Sequence, residues 1–412
     1  MRRPESMREE LLQFIWRYLY FNRSYLVTEA GEELQILSPG EINTNAGPDF
    51  RDARIRLNDT VHEGPVELHI NASDWGRHGH DDDPNYRGVI LHVVWENDGG
   101  PVGLPVLVLQ HRVSKLLLGQ YEKWMKSRLF VPCAAQIQQT GSAPWTRWKE
   151  ELLLQRLYQR TFIIRGWLAA NCQHWEETTR WLMARSMGLP VNGPAFEAVA
   201  RTIPLRLIDR YRSEPARIKA LLLGQAGLLE ASLRQEYRFL QMKHQLKPIS
   251  APILFHRMRP AHSPARRLAQ LAELFSSGES WFARIKEAGS SKELEIALKA
   301  DGLGADMKRG ILINAFVPVL FAYGCLRKEP DYQEKALSWL AAEKPERNTP
   351  ISHWQRLGVP VLTAADSQSL LELKKNYCEK RRCLECTIGQ SLLGPQPETA
   401  TGIRPGEQPS SN

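Results

Sequence analysis

Val66-Glu67-Leu68-His69-Ile70 decides how the first part of this chain is read. Apolar and polar residues alternate with the two-residue period of a strand, so Val66, Leu68 and Ile70 share one face while Glu67 and His69 share the other. A carboxylate and an imidazole side by side are an odd pair for solvent decoration. Upstream, Gly47-Pro48-Asp49-Phe50 places a second carboxylate just before Ala53-Arg54-Ile55-Arg56-Leu57, which also alternates and ends at the turn-like Asn58-Asp59. If the two strands pair, Asp49 and Glu67 can offer oxygen ligands to one divalent cation.

Outward from these strands, Glu9 to Tyr20 carries Leu11, Leu12, Ile15, Trp16 and Leu19 at helical spacing. Leu34-Gln35-Ile36-Leu37 reads as a strand stopped by Ser38-Pro39-Gly40, and Val89 to Trp95 is the near-continuous apolar run of a central strand. Val106 to Leu109 adds one more. The expected order is helix, three strands, a His/Asp-rich connection and two strands: an α/β domain of one helix plus a mixed sheet over residues 1–112. Beyond it the patterning turns helical, in Trp148 to Ala169, Ile203 to Leu222, Ala231 to Leu246 and Leu268 to Leu274, which makes residues 113–392 a mainly α-helical domain. The Pro-, Gly-, Ser- and Thr-rich tail, 393–412, is expected to be disordered.

Length and charge agree with more than one domain. A chain of 412 residues exceeds what one core usually organises. No apolar run is read as approaching the roughly 18 residues of a membrane span, and Met1-Arg2-Arg3-Pro4-Glu5 is followed by no apolar signal core, so a soluble, cytoplasmic protein with no membrane partner is expected. Residues 1–112 hold 11 Lys and Arg against 18 Asp and Glu, leaving 43 against 28 for the rest. Carboxylates that hold cations in the first part, with phosphate-neutralising charge in the second, are one reading of that segregation; ordinary solvated helix faces are the other.

Hydrolysis of a phosphodiester needs such carboxylates. A divalent ion, Mg²⁺ or Mn²⁺, acidifies a water and neutralises phosphate charge, and a third polar group orients the nucleophile. Pro48-Asp49 and Glu67-Leu68-His69, in this order of elements, resemble the PD-(D/E)XK phosphodiesterase superfamily. The resemblance implies a restriction-endonuclease-like fold, catalytic Asp49, Glu67 and His69 with Asp49 and Glu67 as metal ligands, an extra acid from Glu9 or Glu10, and a DNA or RNA substrate. His69 stands where that superfamily has lysine. A catalytically silent nucleic-acid-binding or scaffold protein is the alternative.

Three further groupings carry chemistry. Asp74, His78 and His80, in Ser73-Asp74-Trp75 through His78-Gly79-His80-Asp81-Asp82-Asp83, read as a loop supporting the Asp49/Glu67 site or touching substrate phosphates; as direct zinc ligands, His78 and His80 would instead make a zinc hydrolase. The His78-x-His80-x-Asp82 spacing begins like the metallo-β-lactamase motif, but Asp83 stands where that family needs His. His92, inside the apolar strand, reads as a hydrogen-bonded core histidine. Cys378, Cys383 and Cys386, with Cys325 as fourth ligand, read as a zinc or iron–sulfur site. Arg257 and Arg259, in a proline-fixed basic turn with Arg266 and Arg267, suit phosphate contacts.

Asn43 to Phe50, Val66 to His69, Ser73-Asp74-Trp75 with His78 and His80, Val89 to Val94 and the terminal Cys383-Leu384-Glu385-Cys386-Thr387-Ile388-Gly389 together resemble the bacterial domain of unknown function 2851 family, over nearly the full chain. That resemblance implies a cytoplasmic bacterial protein and brings no activity with it.

Overall fold

The computed structural model describes residues 7–100, 103–255 and 263–394. They form two compact units, one made of residues up to Trp148 together with those from Lys374 onward, the other of Lys149–Leu373. The strands end well before that first boundary. Helix α3 (Lys115–Lys126), the start of α4 (Ser142–Ala170) and the helix Thr387–Leu393 all belong with the sheet in unit 1, so the sheet-bearing unit is built from two separate stretches of chain.

Unit 1 opens with α1 (Glu9–Arg17), which buries Leu11, Leu12, Phe14, Ile15 and Trp16 and places two acids in its first turn. The six strands are β1 (Leu34–Ser38), β2 (Glu41–Ile42), β3 (Phe50–Leu57), β4 (Thr60–Asn71), β5 (Leu91–Glu96) and β6 (Val106–Val108). Their order is β1-β3-β4-β5-β6, with β2 pairing the start of β3. The pairs β1/β3 and β3/β4 are antiparallel, while β4/β5 and β5/β6 are parallel. A two-residue turn joins β3 to β4, with Asn58 at φ 48°, a left-handed conformation that asparagine tolerates better than most residues. The parallel step from β4 to β5 is made through the short helix α2 (Asp74–Arg77) and the turn Pro84–Tyr86.

The mixed sheet and the mainly helical remainder agree with the sequence reading, and two details differ. The strand expected at Val66 to Ile70 is longer, because its hairpin with β3 extends pairing back to Thr60. Every residue from Val66 to Ile70 is buried, so the face carrying Glu67 and His69 is covered.

Unit 2 is helical around its own apolar core, which includes Phe196, Leu221, Leu271, Trp281, Phe316 and Phe321. The helix expected over Ile203 to Leu222 is two, Leu205–Arg210 and Pro215–Gln225, since a proline has no N–H to continue a helix but fits its first turn. The expectation that no apolar stretch reaches membrane-spanning length is corrected here. Ala305–Arg327 is a helical run of 23 residues with a window of mean hydropathy 1.6, and 72% of that window is buried inside the structure. Arg257, Arg259 and the tail from Pro395 lie outside the described residues, while Leu393, expected in the disordered tail, closes the helix Thr387–Leu393.

Candidate metal centre

A bulge sets the geometry of the site. Phe50 lies opposite Val66 but Ala53 opposite Gly64, so β3 carries one extra residue, and Asp52 takes a φ of 56° to accommodate it. Asp49, just before β3, stands beside Glu67. Its N–H donates to Glu67 Oε2 at 2.9 Å, and the Leu68 N–H donates to Asp49 Oδ2 at 3.2 Å. From α1, Gln13 Nε2 donates to Asp49 Oδ1 at 2.8 Å.

Glu67 Oε1 faces a group of histidines. It lies 3.5 Å from Nε2 of His69 and 3.5 Å from Nε2 of His80. His78 Nδ1 is 3.1 Å from His69 Nε2, and one nitrogen from each of His69, His78 and His80 falls within 4.8 Å of the others. On its far side His69 Nδ1 meets His92 Nε2, on β5, at 2.9 Å. The loop after β4 is held by the Trp75 indole donating to Asp81 Oδ1 at 2.9 Å and the Asn71 N–H donating to Asp74 Oδ2 at 3.0 Å. His80 stacks on Tyr86 with centroids 3.7 Å apart.

Burial pushes the Asp49 carboxyl up to about 6. Burial, and then the neighbouring Asp49, carry Glu67 to about 8. The same burial, with His92, His80 and His78 close by, lowers His69 to about 3, and His92 falls to about 4. Glu9 is raised by burial and senses His78, Asp74 and Glu10. The cluster therefore presents neutral His69 and His92 rings beside carboxylates that resist ionisation.

Such a set suits a bound cation. The Nε2 of His80 is buried without a hydrogen-bond partner, an expensive condition for a polar atom. Donor atoms 3.1 to 3.5 Å apart match the spacing that ligands about 2.0–2.1 Å from one ion adopt. The His69–His92 contact fixes which His69 nitrogen stays free, a typical support for a metal-ligating imidazole.

Asp49, Glu67, His69, His78 and His80 thus come together, with Asp74 buried beside them. Glu9 faces the cluster, whereas Glu10 is exposed. Gln13 escaped the sequence reading, although it follows Glu9 at i+4 and so lies on the same helix face. The placing of Cys325 as fourth thiol is corrected: it sits in the unit 2 helix Val317–Arg327, near the Thr161 hydroxyl. Cys133 is the thiol that joins Cys378, Cys383 and Cys386 in unit 1.

Searches of curated proteins and of solved structures give no match. The family model described as protein of unknown function, DUF2851, matches residues 9–302, a span that contains the whole constellation from Glu9 to His92 and ends before Cys378, Cys383 and Cys386. With well over half of its length matched, the chain belongs to the DUF2851 family.

Proposed function

We propose that this protein is a divalent-metal-dependent phosphodiesterase acting on nucleic acid. The observation that carries the reading is that Glu67 stands between Asp49, whose N–H meets its Oε2, and His69 and His80, which face its Oε1, with His78 against His69. Glu67, His69, His78 and His80 would hold the ion, and Asp49, tied to Gln13 and to the β4 backbone, would fix the Glu67 carboxylate through its N–H. A divalent cation there supplies Lewis acidity, acidifies water and neutralises charge on a phosphodiester oxygen. Three imidazoles with one carboxylate favour manganese or zinc over magnesium. This joins the two expectations from the sequence, the Asp49/Glu67 pair and the His78/His80 pair, in one centre.

Phosphodiesters are favoured as substrate by the arrangement of elements. Helix, antiparallel meander, crossover and parallel strand, with Asp49 ahead of the second long strand and Glu67 on the third, is the order the PD-(D/E)XK resemblance implies. The net positive charge of the chain suits a polyanion, and a cytoplasmic location fits both. One observation favours the alternative, a silent nucleic-acid-binding or scaffold protein. His69, lowered to about 3 chiefly by burial, supplies no positive charge where the superfamily has lysine.

Cleavage of labelled single- and double-stranded DNA and RNA with Mn²⁺, Zn²⁺ or Mg²⁺, comparing the natural protein with Glu67→Ala, tests the proposal. We expect metal-dependent cleavage that falls by about 10³-fold in the variant, the order of loss when charge stabilisation at the reacting group is removed. A folded natural protein that binds nucleic acid and cleaves none of the four would leave the binding reading standing instead.

A further inference from the structure

Unit 1 also contains four free cysteines, Cys133, Cys378, Cys383 and Cys386. Cys378 ends the helical turn Lys374–Cys378, Cys383 opens the 3-10 turn Cys383–Glu385, and Cys386 is the N-cap of the helix Thr387–Leu393. Cys133 reaches them from a turn in which the Ala134 N–H donates to Val131 O at 3.2 Å and the Gln136 N–H to Cys133 O at 3.0 Å. None of the four is in a disulfide; three are buried and Cys133 is half-buried. They are electrostatic neighbours: Cys378 senses Cys386, Cys133 and Cys383, and Cys133 senses Cys386 and Cys383.

The backbone around them is fixed. Arg381, in the left-handed region at φ 57°, sends its guanidinium to the carbonyls of Trp124 (3.0 Å) and Ser127. Gln390 Nε2 donates to Leu384 O at 2.7 Å. Gly389 lies so close to Cys383 that an added Cβ would fall 2.1 Å from the Cys383 carbonyl oxygen, so this turn demands glycine. The Ile388 and Gly389 amides and the Trp148 indole all favour a thiolate at Cys386.

The segments are tied to one another, since Trp124, whose carbonyl takes Arg381, sends its own indole to Gln136 Oε1 at 3.3 Å, three residues after Cys133. Three buried thiols and a half-buried one thus share one neighbourhood with no disulfide among them. A thiophilic cation gives them a common partner, because coordination replaces the protons and cancels repulsion between thiolates.

We propose that Cys133, Cys378, Cys383 and Cys386 form a four-thiolate site for a structural metal centre, either one zinc ion or an iron–sulfur cluster. The centre clips together the two stretches of chain from which unit 1 is made. Closing so long a loop in the unfolded chain is where a cross-link stabilises most in principle.

The full chain, purified without oxygen from cells supplied with zinc and iron and then dialysed against a chelator to clear the histidine centre, provides the test. Metal and acid-labile sulfide are measured, and a mercurial thiol reagent is added in the presence of a chromogenic zinc indicator. We expect either about one zinc per chain, released by the mercurial, or iron with matching sulfide and visible absorption. Cys383→Ser and Cys133→Ser should lose that metal, while Cys325→Ser and His80→Ala keep it. If natural protein carries no mercurial-released zinc and no iron, or if these four cysteines are recovered as disulfides, the proposal fails; this needs no variant to fold.

Discussion

The two units both bury carboxylates and treat them in opposite ways. In unit 2, Glu176 takes the Arg180 guanidinium at 2.8 Å, the Ser280 hydroxyl at 2.6 Å and the Phe282 N–H at 2.8 Å. Burial alone would raise it, yet those partners hold it below the usual carboxylate range. Asp366, with Lys149 at 2.9 Å and the Leu362 N–H at 2.8 Å, is held down in the same way against its burial. In unit 1, Glu67 is buried beside the half-buried Asp49; the Gln13 amide and two backbone N–H groups donate to the pair, the His69 and His80 rings stand 3.5 Å from Glu67, and Asp49 rises to about 6 and Glu67 to about 8, with burial the leading cause. A carboxylate matched with a cation from its own chain is part of the scaffold. One left without such a cation points to something brought from outside.

Three substitutions can break or sharpen that contrast. The largest effect is expected at Glu176→Ala, which leaves the buried Arg180 with only the more distant Asp209, 3.9 Å away, and should cost about 3 kcal/mol, read by urea unfolding. Unit 1 metal binding should survive it at a temperature where unit 2 is still folded.

Next comes Glu67→Gln, with the opposite sign. Near pH 7 the folded state of the natural protein, cleared of its histidine-site metal, keeps a proton on Glu67, which has a value of about 8 there against an ordinary 4.5, whereas the unfolded chain has lost it. Stability should therefore fall as pH rises from about 6.5 to about 8, with a limiting slope of about 1.4 kcal/mol per pH unit for one proton. Below that window Asp49 acts in the same direction, while His69 and His92, lowered to about 3 and about 4, act against it. Glu67→Gln should abolish the slope and leave the protein more stable than the natural one at pH 8, seen in hydrogen exchange of the β4 amides. A natural protein whose stability is flat across this window would remove the distinction between the units. The smallest effect is expected at Gln13→Leu, which deletes the amide donor to Asp49. It should cost about 1 kcal/mol and move the Asp49 titration further up, followed by carboxyl NMR.

Much of unit 1 could be read from local pattern. Alternation placed β3 and β4, and the phase of Glu67 and His69 put both on one face, because a strand has only two faces to offer. The particular contacts of His80 with Glu67 and of His78 with His69 were not legible, since a loop has no period and its path is set by contacts such as Trp75 with Asp81 and His80 with Tyr86. Pairing Cys378, Cys383 and Cys386 with Cys325 failed for a related reason. Nothing in spacing distinguishes Cys325 from Cys133 when the fourth ligand comes from a remote segment. In unit 2, continuous helical periodicity ran through Pro215, where the backbone must stop and restart.

The interruption of unit 1 by unit 2 also bears on how the chain comes off the ribosome. When Trp148 has emerged, the sheet and the histidine cluster are fully translated, but Lys374 and the three terminal cysteines are still a whole unit away. Translation at about 5–20 residues per second makes that wait tens of seconds at the slower rate. Throughout it, Cys133 and the surfaces that will receive the terminal helix face the cytosol without their partners. The order of synthesis thus sets a window in which nascent unit 1 lacks its last segment, and truncation anywhere within unit 2 would leave that window open for good.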